Sequence, residues 1–232
     1  MSVKLHPAAL SLLLLLLSFT PPPLRSADPA VAPDAADWTP LFAPDLSNAV
    51  FPGGGWTVED GVFTASEDQV LWSDKEYADF DLNLEFRNSP GTNSGVIVYC
   101  SNEADWIPNS VEIQIADDFS KEWSEKPGTW QCAAFFGHLA ATHGIVKQPG
   151  EWNHMRVTCR GPVIQVELNG EHVNKIDLRD FTSATRNPDG SEIPPWLSKP
   201  LSSLPTRGTI GFQGRHAGAP IEFRNIRIRA LP

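Results

Sequence analysis

No stretch of this sequence is long and apolar enough to cross a membrane, basic residues are scarce, and no familiar metal, nucleotide or hydrolase motif appears. The longest apolar stretch, Ala8 to Phe19, is well short of the ~20 residues a spanning helix needs. Lys and Arg together number 18 against 28 Asp and Glu. Such a field repels nucleic acid and anionic lipid, which disfavours both as partners, and acidic polymers with them. HExxH, EF-hand, Walker and GxSxG patterns are absent. The segment Gly208-Thr-Ile-Gly211-Phe-Gln-Gly214 has the wrong spacing for a dinucleotide fingerprint, and no helix follows it. Cysteines number three (Cys100, Cys132 and Cys159), with spacings that match no zinc site. In an oxidising compartment they permit one disulfide and leave one thiol. No internal repeat and no long helical periodicity is present.

What is present starts with an export signal. Lys4 and His6 precede the apolar stretch, Pro21, Pro22 and Pro23 end it, and small residues near Ser26 and Ala27 offer a cleavage point. Residues 1–26 read as a signal peptide and residues 27–37, rich in Pro, Ala and Asp, as a flexible leader. Residues 38–232 are then a single domain, exported to the periplasm or the extracellular space. Removing the signal takes away Lys4 and Arg25, which leaves 16 basic against 28 acidic residues, a formal charge of −12.

The domain is written in period two. Leu82, Leu84 and Phe86 point one way, while Asp81, Asn83, Glu85 and Arg87 point the other. Val111, Ile113 and Ile115 repeat the alternation, with Glu112 and Gln114 on the opposite face. Met155 to Leu168 reads as two strands joined at Arg160-Gly161-Pro162. Asn169-Gly170 then marks a hairpin before His172 to Leu178. Gly208 to Gly214 and Ile221 to Leu231 close the chain, the last with a phase shift that places a bulge near Arg224-Asn225. About a dozen strands with no crossover helices predict an all-β fold, a two-sheet antiparallel β-sandwich of jelly-roll type. Residues 117–131 and 182–206 break the pattern as long excursions, a length that builds a site or lies outside the packed domain.

Polar residues gathered on one outer sheet face are the informative ones. Alternation sets Glu112 beside Gln114, and a bulge at the strand end would bring Asp117 to the same face. Two carboxylates so placed suit acid/base or nucleophile/acid work on a glycosidic bond, or they form a solvated strand face. Glu85 and Arg87 line the same face from a neighbouring strand or form an ion pair of little net energy, ~0–1 kcal/mol. Asn93-Ser94-Gly95 is either a sugar contact or turn chemistry. His216, in the glycine-flanked Gly214-Arg215-His216-Ala217-Gly218, is the histidine best placed to move protons near neutral pH. Trp106, Trp123, Trp130, Trp152 and Trp196 fall in loops or excursions, where indole faces stack on sugars or pack as lids.

Taken in order, these segments resemble the 3-keto-disaccharide hydrolase domain family, whose fold is of the concanavalin-A-like lectin/glucanase kind. The resemblance is carried by Gly55-Trp56-Thr57-Val58-Glu59-Asp60-Gly61-Val62-Phe63, Tyr77 to Arg87, Asn93-Ser94-Gly95-Val96 and Val111 to Asp118. It continues through Gly150-Glu151-Trp152-Asn153, Leu168-Asn169-Gly170, Gly211-Phe212-Gln213 and Phe223-Arg224-Asn225-Ile226-Arg227-Ile228, and covers about Trp38 to Leu231. Two departures stand out. Gly214-Arg215 precedes His216 where the family carries an acidic residue, and the 117–131 excursion is long and aromatic. The resemblance implies a hydrolase or lyase of 3-keto-glycosides, in which a base removes the C2 proton, the glycosidic oxygen leaves C1 and water adds back. It implies that Glu112 and His216 share the base and acid roles in an unassigned order, and that Asp117 orients His216 or holds a divalent metal. Glu85, Arg87, Asn93, Gln114, Trp152 and Gln213 are the implied substrate contacts. No cofactor beyond such a metal is expected. The alternatives are a non-catalytic carbohydrate-binding module on the same fold, and a conventional glucanase using Glu112 and Asp117. The glucanase reading is weakened by Gln114, where such enzymes commonly place an acid.

Overall fold

The computed structural model describes residues 37–232, so the expected signal peptide and all but the last residue of the leader lie outside the described residues. The strands are β1 (Thr39–Pro40), β2 (Ala49–Val50), β3 (Trp56–Glu59), β4 (Val62–Ala65), β5 (Val70–Tyr77), β6 (Phe80–Asn88) and β7 (Asn93–Cys100). They continue with β8 (Val111–Ala116), β9 (Trp152–Arg160), β10 (Val163–Leu168), β11 (Glu171–Asp177), β12 (Gly208–Gln213) and β13 (Ile221–Ala230). One short helix, α1 (Lys121–Ser124), lies in the first excursion.

Every pairing is antiparallel. One sheet runs β11-β10-β9-β6-β13-β4-β3 with β1 added on β13, and the other runs β2-β5-β12-β7-β8. The alternation read from sequence is what makes the sandwich. Leu82, Leu84 and Phe86 of β6 and Met155 and Val157 of β9 face Val96 and Val98 of β7 and Ile113 and Ile115 of β8 in one core. Phe212 on β12 meets Phe223 on β13 edge to face at 5.1 Å and 79°, which joins the two sheets at the centre. Burying each such ring stabilises the fold by roughly 1.5–3 kcal/mol relative to exposure.

Local turn chemistry also follows the residues. Asn169 and Gly170 both take positive φ, 52° and 88°, the conformation a tight two-residue hairpin requires between β10 and β11. The register of β13 shifts between Arg224 and Arg227 with Asn225 at φ 53°, so the bulge lies where the phase of the sequence changes. All three cysteines are buried and free, so the disulfide permitted by the sequence is not formed. Burial pushes the Cys100 thiol up to about 11 and the Cys132 and Cys159 thiols higher still, which leaves them unreactive. No helix among the described residues is long and apolar enough to cross a membrane.

Candidate active site

The outer face of the five-stranded sheet carries a cleft of about 720 Å³. Its floor follows from strand register. Gly211 pairs with Trp72 on one side and with Ile97 on the other, and Ile97 pairs with Glu112, giving a row Trp72-Gly211-Ile97-Glu112 across β5, β12, β7 and β8. One step along, Gln213 pairs with Val70, and Gly95 pairs with Gln114. Residues in between, such as Phe212, Val96 and Ile113, point inward to the core. The floor is therefore the outward-facing half of the same alternation that fills the sandwich.

Two glycines shape this floor. A Cβ on Gly95 would lie 2.3 Å from Oε1 of Glu112, and a Cβ on Gly211 would lie 2.4 Å from the indole of Trp72. Without side chains there, the Glu112 carboxyl and the Trp72 ring lie low over the two central strands. Glu112 makes no side-chain hydrogen bond among the described residues, and burial pushes its carboxyl up to about 8. That shift favours the protonated form near neutral pH. Beside it, Gln114 Nε2 donates to Asn93 Oδ1 at 2.8 Å. Oε1 of Gln213 and Oε1 of Gln69 are buried with no hydrogen-bond partner among the described residues, and the Gln69 oxygen packs against Gly55, 2.5 Å from where a Cβ there would stand.

His216 stands at the Asn93 end, where the two residues form an isolated antiparallel bridge. Its Nδ1 lies 2.8 Å from Oδ2 of Asp68, a residue of the turn before β5. Asp68 supplies from across the fold the acid missing just before His216 in the sequence. Nothing local could have revealed it, because the partners are 148 residues apart. In the neutral imidazole this contact places the proton on Nδ1 and leaves a lone pair on Nε2.

The walls are aromatic. The loop after β7 brings Trp106 edge-on to Trp72 at 6.5 Å. The first excursion contributes Trp123, whose helix is started by Ser120 capping the Trp123 N–H, and Trp130. The second excursion contributes Trp196, which meets Trp130 at 5.9 Å, while Trp130 meets Phe136 at 5.1 Å. His138 binds Asn187 Oδ1 at 3.1 Å, which ties the second excursion to the segment after the first. Both excursions thus build the cleft. Acidic side chains lining it are Asp68, Glu103 and Glu112, and no Lys or Arg is among them.

Several residues singled out in the sequence lie elsewhere. Asp117 is buried and turned away, accepting from the N–H of Gly91 at 2.8 Å and of Phe119 at 3.2 Å. The strand ends at Ala116 without the bulge that would have swung Asp117 beside Glu112, so it neither meets His216 nor forms a glucanase pair. Glu85, Arg87 and Trp152 belong to β6 and β9 of the other sheet, because β6 neighbours β9 and β13 and not β8. There Arg87 pairs with Glu222 and Arg224 with Glu85. Trp152 lies between Arg87 and Arg224, 4.7 and 4.0 Å from its ring centroid. Trp72 and Gln69, by contrast, were not flagged, since a strand Trp reads as core. Among the described residues no three His, Cys, Asp or Glu side chains converge as metal ligands, so the residues present do not fit a bound divalent ion.

A jelly-roll sandwich with an aromatic, amide-floored cleft on its smaller sheet places the chain among glycosyl-hydrolase-like domains. The chain belongs to the 3-keto-alpha-glucoside-1,2-lyase-like domain family, whose model matches residues 37–229. A crystal structure from Parabacteroides distasonis ATCC 8503, provisionally described as a glycosyl hydrolase, is 51% identical with a TM-score of 0.82, covering 84% of this chain and 100% of that one. A second protein of that organism, with the same provisional description, is 23% identical with a TM-score of 0.66, covering 84% of this chain and 95% of the other. Carbohydrate-binding module CBM66 from Bacillus subtilis shares the fold at 10% identity and a TM-score of 0.51, over 82% and 99% of the two chains. No curated protein matches the sequence.

Proposed function

We propose that the cleft cleaves 3-keto-glycosides by elimination followed by hydration. The observation that carries this reading is the presence in one cleft of a carboxyl that burial shifts toward its protonated form, Glu112, and an imidazole held by a carboxylate, His216 with Asp68. On this reading His216 is the base and Glu112 the acid.

A ketone at C3 acidifies the hydrogen on C2. His216 Nε2 takes that proton, the electron pair forms the C1–C2 double bond, and the C1–O bond breaks as the leaving oxygen takes the proton of Glu112. Water then adds. Its oxygen bonds to C1, its proton goes to the Glu112 carboxylate, and the half-exposed imidazolium, having exchanged its proton with solvent, returns one to C2. Both groups end as they began, and the net change is hydrolysis. Amide donors on the floor, from Gln114, Asn93 and Gln213, are placed to hold the enolate oxygen and the hydroxyls. With three acids and no cation at its walls, the cleft favours uncharged glycosides.

The test is a time course with a 3-keto-glucoside and its unoxidised parent. Cleavage of the keto compound alone supports the reading. Cleavage of both replaces it with an ordinary glycosidase, and sugar binding without turnover replaces it with a binding module.

A further inference from the structure

The cleft is divided by polarity. Its His216 end gathers Asp68, Gln69, Asn93, Gln114 and Gln213, a set rich in hydrogen-bonding groups. Along the β8 edge, where the Phe136 N–H meets the Glu112 carbonyl, stand Trp130, Phe136 and Trp196, which offer ring faces and edges and no side-chain amide, hydroxyl or carboxyl. Glu112 lies on the floor beside the polar half, over Gly95. A sugar ring needs partners for several hydroxyls, and burying one unmet costs more than its stacking returns. The aromatic wall can stack a second sugar but pairs few of its hydroxyls, so a flat aryl ring loses less on entering it. Trp196 is 47% exposed at the mouth of the cleft, although most large aromatics of the domain are buried. Exposed apolar surface at the rim of a polar site marks a place where an apolar group docks.

From this division we infer that the Trp130–Phe136–Trp196 wall is a subsite for a flat, uncharged aryl aglycone. The substrate class is then an aryl 3-keto-glycoside in preference to a 3-keto-disaccharide. The inference rests on the reading of the cleft as a glycoside site, with the sugar at the amide end and the leaving group against the tryptophans. Offset or edge-to-face packing of a phenyl ring on Trp130 and Trp196 is geometrically natural, since those indoles already stand at 77° to each other.

The experiment measures binding, not turnover. Calorimetry compares phenyl α-glucoside, methyl α-glucoside and maltose, none of which carries the ketone needed for elimination. Proteins are wild type, Trp196→Ala, Trp130→Ala and, from the opposite sheet, Trp152→Ala. Expected is tighter binding of the phenyl glucoside than of maltose, reduced about three- to tenfold in Trp196→Ala and Trp130→Ala. Methyl glucoside should stay within about twofold of wild type in all variants, and Trp152→Ala should bind like wild type. Maltose binding as tightly as the phenyl glucoside overturns the inference, as does an equal loss for methyl and phenyl ligands in Trp196→Ala. An inactive protein with the phenyl preference would sink the catalytic reading alone, and an active one that prefers maltose would sink the aglycone subsite alone.

Discussion

His216 Nδ1 and Asp68 Oδ2 lie 2.8 Å apart, and both side chains are about half exposed at one end of the cleft. An exposed pair contributes little to folding, so its value lies in fixing the imidazole's tautomer and direction. Asp68→Asn should lower kcat by about 10–100-fold with KM nearly unchanged and no loss of thermal midpoint. His216→Ala should cost about 10²–10⁴-fold in kcat. If Asp68→Asn instead unfolds the protein or raises only KM, the carboxylate is structural or binds substrate.

Glu112 sets the pH behaviour. Burial holds its carboxyl at about 8 in the folded protein, above its ordinary value near 4.5. An acid that must be protonated loses activity as pH rises through about 8, so kcat/KM should fall along that limb. Glu112→Gln should lose about 10²–10⁴-fold. The same group affects stability. Between about 4.5 and 8 the folded state holds a proton that the unfolded chain has released, so stability falls as pH rises across that window and levels off above it. Chemical denaturation of Glu112→Gln should show less of this decline. An unchanged slope would mean the carboxyl is solvated.

Gly95→Ala tests position without removing chemistry. The added Cβ would meet the flexible end of Glu112, with Oε1 at 2.3 Å, so the carboxyl moves and the fold survives. A misplacement of about 1 Å can cost on the order of 10²-fold, and kcat should fall by about that much with the melting transition intact. Gly208→Ala is the contrast, because its Cβ would meet the main-chain oxygen of Cys100 at 2.3 Å. It should lower the melting temperature sharply.

Arg87→Ala should leave kcat/KM within about twofold, since Arg87 sits on the far sheet between Glu222 and Trp152. Losing its cation–π contact should cost roughly 0.5–1 kcal/mol in denaturant unfolding. A large loss of activity at unchanged stability would place the far sheet in the catalytic account.

Much of this fold can be read from the chain because its signals are local. Alternation at Leu82-Leu84-Phe86 and Val111-Ile113-Ile115, the Asn169-Gly170 turn and the Asn225 phase shift each depend on neighbours in sequence. The same alternation put Glu112 and Gln114 on one face, and the two excursions proved to be cleft walls. What the sequence hid is non-local. Period two says which face of a strand is polar, not which sheet the strand joins, so Glu85 and Arg87 were grouped with Glu112 although β6 lies in the other sheet. Asp117 was expected to swing round at a bulge that the Gly91 and Phe119 N–H groups forestall by holding its carboxylate. Asp68 carried no signal at all, and Trp72 looked like core because only its strand partner Gly211 makes room for it on the outer face.

The most direct measurement is deuterium incorporation at C2 during turnover of a 3-keto-glucoside in D2O, followed by NMR, with the 3-keto-sugar product incubated alone to correct for its own exchange. Elimination and hydration break the C2–H bond in every turnover. The account predicts one deuteron at C2 of each product molecule in excess of the control, formed at the rate of cleavage. Product that keeps its original C2 hydrogen while the glycosidic bond is cleaved would contradict it.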